Sequence, residues 1–326
     1  MKRIQLENRF FEGQNNAYLF ADAEPVTLVD TGAAEADTRE QLVDAMAAAG
    51  VSVSDLDRIL LTHFHADHAG LVSTLQEDSD ASVFVHEGDA PMVEGGAEAL
   101  AAVDDRREQL FAAWGMPEEK RDELRRLFGA SEEIVGDPTA VEQFTDGDEL
   151  AAGGETLTAV HLPGHTVGLS GFLRETPEGE ELFTGDALLP EYTPNVGGAD
   201  VRTERPLEQY LDTLATIVER DPVVGWPGHR DPIDDPAARA SEIIHHHHER
   251  TERVLGVLAD RESADAWTVS AELFGDLSGI HVLHGPGEAY AHLEHLRAHD
   301  RLTETDGQYA LVEDDPEVAS LFPDVD

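Results

Sequence analysis

The chain has 326 residues, 40% of them hydrophobic, and sets 68 acidic residues against 22 basic ones for a formal net charge of −46. That is enough chain and apolar content for one large domain, or a large one and a small one. Apolar runs such as "VTLVD", "RILLTH" and "LTAVHL" exclude an acidic disordered polymer. The charge disfavours polyanionic partners. The absence of cysteine excludes disulfides and thiolate ligands, so a zinc site would have to use histidine and carboxylate.

Only Lys2 and Lys120 are lysines; the other basic residues are arginines. A carboxylate-rich, lysine-poor composition resembles that of proteins from salt-saturated cytoplasm, where salt screens self-repulsion, and a halophilic type is expected. The first twenty residues hold no continuous apolar run, and no later stretch approaches the ~20 apolar residues of a membrane span. The expectation is a cytoplasmic protein with no membrane partner.

In chain order, "NAYLF" and "VTLVD" read as strands, residues 35–50 as an amphipathic helix closed by Gly50, and "LDRILLT" as the next strand. This alternation predicts an α/β fold. Residues 96–128 are helical in composition and interrupt the strands, with Pro117 placed to open a second helix. They read as a helical insertion that roofs a cleft, with Phe111, Trp114 and Tyr192 as candidate lining residues. Strands resume at "LTAVHL" and "ELFTGD", and a helix over 207–220 precedes "PVVGWPGH".

After Pro236 a long helix is expected over 237–260, then helical runs at "TVSAELFG" and "GPGEAYAHLEHLRAHD". The stretch "LTETDGQYALV" follows, two β-like runs about Asp306-Gly307 that form a hairpin signal. Helix, helix, helix, hairpin is the order of a winged helix. The expected division is a catalytic domain over 1–236 and a linker helix with a small winged-helix-like domain over 237–326.

The chemistry concentrates in "LTHFHADHAG", which places His63, His65, Asp67 and His68 within six positions. Three later motifs, "HLPGHTVG" (161–168), "LFTGDALL" (182–189) and "GWPGHRDP" (225–232), each set a histidine or aspartate at or just past the end of an apolar β-like run. Strand ends feed loops along one rim of a layered fold, where distant residues converge. His63, His65, Asp67, His68, His165, Asp186 and His229 offer seven nitrogen or oxygen ligands, too many for one zinc and suited to two.

The stretch "THFHADHAG" resembles the THxHxDHxG signature of the metallo-β-lactamase fold. The later motifs match that family's GHT, GD and final GH elements in order, and Val29-Asp30-Thr31-Gly32 sits where the family has its early aspartate. The resemblance covers residues 1 to about 236. It implies an αββα sandwich with a dinuclear site: His63, His65 and His165 on one metal, Asp67, His68 and His229 on the other, and Asp186 bridging. It implies two zinc ions, with manganese or iron(II) as alternatives, and a metal-bridging hydroxide as nucleophile. Asp67 would also orient that hydroxide or shuttle its proton, and Asp30 would hold the ligand loop, so these two are the candidate catalytic residues. Two departures are visible: many relatives read GHTxGH where this chain has Gly168-Leu169, and the helical insertion at 96–128 is positioned to roof the cleft.

The other histidines read more simply. His161 and His86 are expected as strand or loop residues. Neighbours along a helix point about 100° apart, so the run His245–His248 encircles its axis and reads as a solvated or packed segment. The tail histidines 281, 284, 292, 295 and 299 read as partly buried. From residue 261 onward the chain has three arginines, no lysine and fifteen acidic residues, and the would-be recognition helix carries Glu288 and Glu294. Phosphate-binding modules carry the opposite sign, so the expected role there is packing against the catalytic domain or a second copy in a homodimer.

Similar C-terminal winged helices occur in β-lactamase-like hydrolases, some of them ribonuclease Z-like or other RNA endonucleases, while glyoxalase II-like members of the wider fold hydrolyse thioesters. A roofed, acid-rimmed cleft favours a small-molecule substrate. The leading expectation is a dizinc hydrolase of a small ester or thioester; the alternatives are a metal-dependent phosphodiesterase or ribonuclease, and a non-catalytic winged-helix interaction protein.

Overall fold

The computed structural model describes residues 1–8, 13–131, 135–314 and 316–325. Strands β1 (Lys2–Leu6), β2 (Asn15–Phe20), β3 (Thr27–Val29), β4 (Arg58–Leu60), β5 (Ser82–His86) and β6 (Glu142–Phe144) form a six-stranded sheet in that spatial order. The first two pairings are antiparallel and the next three parallel. A second sheet runs β11 (Val224–Pro227), β10 (Gly179–Gly185), β9 (Ser170–Thr176), β8 (Glu155–His161), β7 (Glu149–Ala152), with only the β10–β11 pair parallel.

Side chains alternate across a strand, so the inner strands of the first sheet serve two cores. Tyr18, Phe20, Val29, Leu60 and Phe144 face the second sheet, where Leu157, Phe172 and Phe183 meet them. Ala17, Leu19, Leu28 and Ile59 face the other way, onto Leu42 and Met46 of helix α1 (Ala36–Ala48) and Leu75 of α3 (Val72–Ser79). On the far side of the second sheet, Leu207, Tyr210, Leu211 and Leu214 of α7 (Pro206–Arg220) pack with Ile243 and Ile244 of α8 (Pro236–Ala259). The layers are helix, sheet, sheet, helix, as expected of the αββα sandwich. The expected strands and the helices α1, α7 and α8 lie where the sequence put them.

After the one-turn helices α2 (Ala66–Ala69) and α4 (Ala90–Val93), helices α5 (Ala97–Ala113) and α6 (Glu118–Ser131) occupy the expected insertion, and the C-terminal segment forms α9 (Ala266–Phe274), α10 (His281–Ala298) and the hairpin β12 (Leu302–Thr305)–β13 (Gln308–Leu311). Asp306 and Gly307 both have positive φ, 51° and 78°, as a two-residue primed hairpin turn demands. Asp235 and Asp265 cap α8 and α9 by accepting from Ala238 N and Thr268 N.

The insertion and the C-terminal helices share one core. Leu110, Phe111, Trp114 and Leu124 cluster with Val254, Leu258, Val269, Val282 and Leu293, and the Trp114 and Tyr290 rings lie 5.5 Å apart. Phe111 and Trp114 are each 1% exposed in that core, so they do not line a cleft. The sequence reading of them as cleft residues is corrected by the apolar partners that the last third of the chain supplies. Tyr192 is 49% exposed and packs under the guanidinium of Arg230, 4.7 Å from Cζ to ring centroid. Among the described residues no helix is long and apolar enough to cross a membrane.

Candidate metal centre

Backbone hydrogen bonds, two between the sheets and one within the second, tie the motifs together. Ser170 N donates to Thr62 O at 2.9 Å, Gly228 N to Gly185 O at 2.9 Å, and Asn16 N to Gly228 O at 2.7 Å. These bonds bring the loop after β4, the loop before β9, the end of β10 and the end of β11 to one rim. Gly228 is forced by this crowding: a Cβ there would stand 2.4 Å from Asp186 Oδ1 and 2.6 Å from His68 Cε1.

His63, His65 and His165 converge, with His65 Nδ1 lying 3.0 Å from His63 Nε2 and 3.0 Å from His165 Nε2. The outer ring nitrogens decide what these inner ones carry. His65 Nε2 is 3.2 Å from Ala199 O and His165 Nδ1 is 2.9 Å from Asn195 O. A carbonyl only accepts, so each outer nitrogen bears the proton. Thr62 Oγ1 donates to Asp30 Oδ2 at 2.8 Å and so accepts from His63 Nδ1 at 3.1 Å. Three lone pairs therefore face one another with no proton between them. A tetrahedral ion with bonds of about 2.0–2.1 Å would hold such nitrogens about 3.3 Å apart, so the arrangement fits a divalent cation.

A second group comprises Asp67, His68 and His229. His68 Nδ1 donates to Asp30 Oδ2 at 2.9 Å, which leaves the buried His68 Nε2 without a hydrogen-bond partner, 3.4 Å from Asp186 Oδ1. His229 Nε2 lies 3.4 Å from Asp67 Oδ2 and 3.5 Å from Asp186 Oδ2, and Asp186 Oδ2 is 3.8 Å from His165 Nε2. The Asp186 carboxylate thus spans both groups. Asn8 and Asn15 donate to Asp67 Oδ2 at 3.3 and 3.2 Å and hold it in place.

The electrostatics of the side chains agree with this division. Burial drives the His63 and His65 pKa values down and carries that of His165 down to about 4. Burial opposes charge on His68 and His229 too, but Asp186 and Asp67 outweigh it and raise both. Burial likewise opposes charge on Asp186, yet His229 and His68 hold its carboxyl well below the usual range.

All seven residues expected as ligands meet here, and Asp30 lies behind them. Asp30 accepts from Thr62 N, Thr62 Oγ1 and His68 Nδ1, so it faces the ligand loop. Leu169, next after Gly168 in "GHTVGL", is buried in the core of the second sheet. His161 donates to Val167 O at 2.8 Å and stacks on His86, 4.2 Å between ring centroids.

Sequence reasoning missed a buried clamp formed by Asp89, Asp200 and Arg202. Asp89 accepts from Thr166 Oγ1, Gly168 N, Phe64 N and Arg202 Nη2, while Asp200 accepts from Val167 N and from Arg202. The Arg202 guanidinium lies 4.9 Å over the Phe64 ring. The clamp ties the loops of "THFHADH" and "GHTVG" together. Its one sequence signal was Asp89 shortly after a strand.

His247, Glu288 and His292 form a further buried group, with His247 Nδ1 at 3.3 Å from His292 Nε2. Glu288 Oε1 is already taken by the Arg250 guanidinium, and Thr251 Oγ1 lies 2.7 Å from His292 Nδ1. A fixed cation on the same carboxylate oxygen disfavours a metal there. His247 is the packed member of the four-histidine run, as the helical geometry predicted.

Residues 11–229 match the family model described as the metallo-beta-lactamase superfamily. The chain belongs to that superfamily. It is 25% identical over 308 residues to "Probable metallo-hydrolase YqjP" of Bacillus subtilis, covering 92% of this chain and 93% of that one. The crystal structure of a metallo-beta-lactamase family protein from Thermus thermophilus superposes with a TM-score of 0.80 at 30% identity, covering 95% of this chain and 98% of the other. A beta-lactamase domain protein from Burkholderia ambifaria superposes with a TM-score of 0.80 at 25% identity, over 95% and 92% of the two chains. With these relatives and this rim of ligands, the chain is a metal-dependent hydrolase of the superfamily.

Proposed function

We propose that the protein is a dinuclear zinc hydrolase acting on a small ester or thioester. The observation that carries the reading is the pair of ligand groups with the Asp186 carboxylate between them. His63, His65 and His165 would hold one ion, Asp67, His68 and His229 the other. A bound pair supplies Lewis acidity and activates water at neutral pH. The chain's own part is orientation: Asp30, Ala199 O and Asn195 O fix imidazole tautomers, and Asn8 and Asn15 fix the Asp67 carboxylate. With one oxygen so held, Asp67 would orient the attacking water.

The thioester class draws support from a curated relative, the atrochrysone carboxyl ACP thioesterase of Passalora fulva, 24% identical over 82% of this chain and 64% of that protein. The net charge of −46 also weighs against a polyanionic substrate. We read residues 1–236 as the catalytic unit, and α9, α10 and the β12–β13 hairpin as a winged helix used for packing. The test is turnover by zinc-loaded protein in high salt of an acyl-thioester and ester panel against labelled single-stranded RNA. Hydrolysis of a thioester or ester that a chelator abolishes supports the reading; cleavage of RNA alone, or of neither, overturns it.

A further inference from the structure

Two acceptors that set the tautomers of the first ligand group, Asn195 O and Ala199 O, belong to one stretch, residues 195–199, of the long connection between β10 and α7. That loop is held from outside the sandwich. Asn195 Nδ2 donates to His284 O at 3.1 Å and to Glu288 Oε2 at 3.3 Å, both on α10. The Asn195 side chain also closes its own loop, since Oδ1 accepts from Gly198 N at 3.1 Å. The backbones touch as well. A Cβ on Gly287 of α10 would stand 2.4 Å from Gly198 Cα and 2.5 Å from Gly198 N, and one on Gly197 would stand 2.5 Å from Gly287 O. Glycine in the middle of a helix is less favourable than alanine; here it lets the helix lie directly on the loop.

We infer that α10 is a working part of the metal centre: through Asn195 and the Gly287–Gly198 contact it holds the 195–199 loop so that His65 and His165 present their lone pairs to the ion. Asn195 is a positioning residue, acting through its backbone on His165 and through its side chain on the helix. The inference rests on the metallohydrolase reading, but its consequence is metal affinity and needs no substrate. Partners that fix a ligating imidazole typically change metal affinity about 10- to 100-fold when lost.

The experiment compares full-length protein with Asn195→Ala, Gly287→Ala and a control, Leu293→Ala. Leu293 is buried in the helical core and touches neither the loop nor the ligands by any bond described above. Zinc affinity is read by competition with a chromophoric chelator, ligand geometry by the visible spectrum of the cobalt(II)-loaded protein, and folding by circular dichroism and thermal unfolding of the metal-free form. Asn195→Ala is the mild variant, and it guards against a failure of Gly287→Ala to fold. Expected is a loss of zinc affinity of about 10-fold or more in Asn195→Ala, with an altered cobalt spectrum, while Leu293→Ala is destabilised but binds as wild type does. Wild-type affinity and spectrum in folded Asn195→Ala, or an equal affinity loss in Leu293→Ala, overturns the inference. Wild-type protein that binds no zinc overturns the metallohydrolase reading instead.

Discussion

Asp30→Asn isolates the role of one buried oxygen. Asp30 has φ of 57°, a left-handed conformation that asparagine adopts as readily as aspartate, so the exchange adds no backbone strain. Asparagine Oδ1 can keep the bond from Thr62 N, now 2.8 Å. The amide NH2 then replaces Oδ2, which accepts from Thr62 Oγ1 and from His68 Nδ1 at 2.8 and 2.9 Å. Two donors would face each other at His68 unless its proton moves to Nε2. That is the atom 3.4 Å from Asp186 Oδ1 whose lone pair the second ion needs. Flipping the amide sets NH2 against Thr62 N–H and relieves nothing. A lost hydrogen bond to a charged group costs about 1.5–3 kcal/mol, and metal affinity should fall about 10- to 100-fold. Chelator-competition titration with zinc, beside thermal unfolding of the metal-free form, measures both. The weaker of two binding steps should be lost first while the group of His63, His65 and His165 stays filled. Two zinc ions held at wild-type affinity would refute the tautomer argument.

Asp186→Ala removes the carboxylate shared by both groups, so bound zinc should fall from about two per chain to one or none, and unchanged stoichiometry would contradict a bridging role. His295→Gln tests a buried neutral imidazole far from the ligands: burial, with His299, lowers its pKa to about 4. A depressed pKa contributes stability above the unfolded value near 6.5 that is lost as pH falls toward 4. The wild type should therefore lose about 2 kcal/mol relative to the variant between pH 7 and pH 5, and parallel pH–stability curves would rule this out. Phe111→Ala should cost about 3–5 kcal/mol by denaturant unfolding; at temperatures where the variant is folded KM should not move, whereas a cleft residue would shift it. Transfer from molar to 0.1 M salt lengthens the screening distance from about 3 to about 10 Å, so the melting temperature should drop; one that holds or rises would count against halophilic adaptation.

The ligand set was legible because each residue sits in a short motif at a strand end, and the sandwich was legible because strand alternation and helix periodicity are local. The supports were not. Ala199 O and Asn195 O act as backbone acceptors, which leave no mark on residue identity. Asp89 and Arg202 are joined only by folding, across more than a hundred residues. Phe111 and Trp114 misled because an apolar residue on an insertion reads alike whether it faces a cleft or a core, and their core partners lie far downstream. The histidine run gave more than its composition suggested: His247, Thr251, Val254 and Leu258 recur at helical spacing and all point inward.

The shared core of the insertion and the C-terminal helices also sets a timetable for synthesis. Helices α5 and α6 and the Trp114 turn between them emerge with an apolar face whose partners on α10, such as Tyr290 against Trp114, follow only roughly 175 residues later. At about 5–20 residues per second that is a wait on the order of ten to thirty seconds. During it Leu110, Phe111, Trp114 and Leu124 lack their final cover. A nascent chain of this design has an interval in which a chaperone, or a neighbouring nascent chain, can occupy the surface later taken by its own C-terminus.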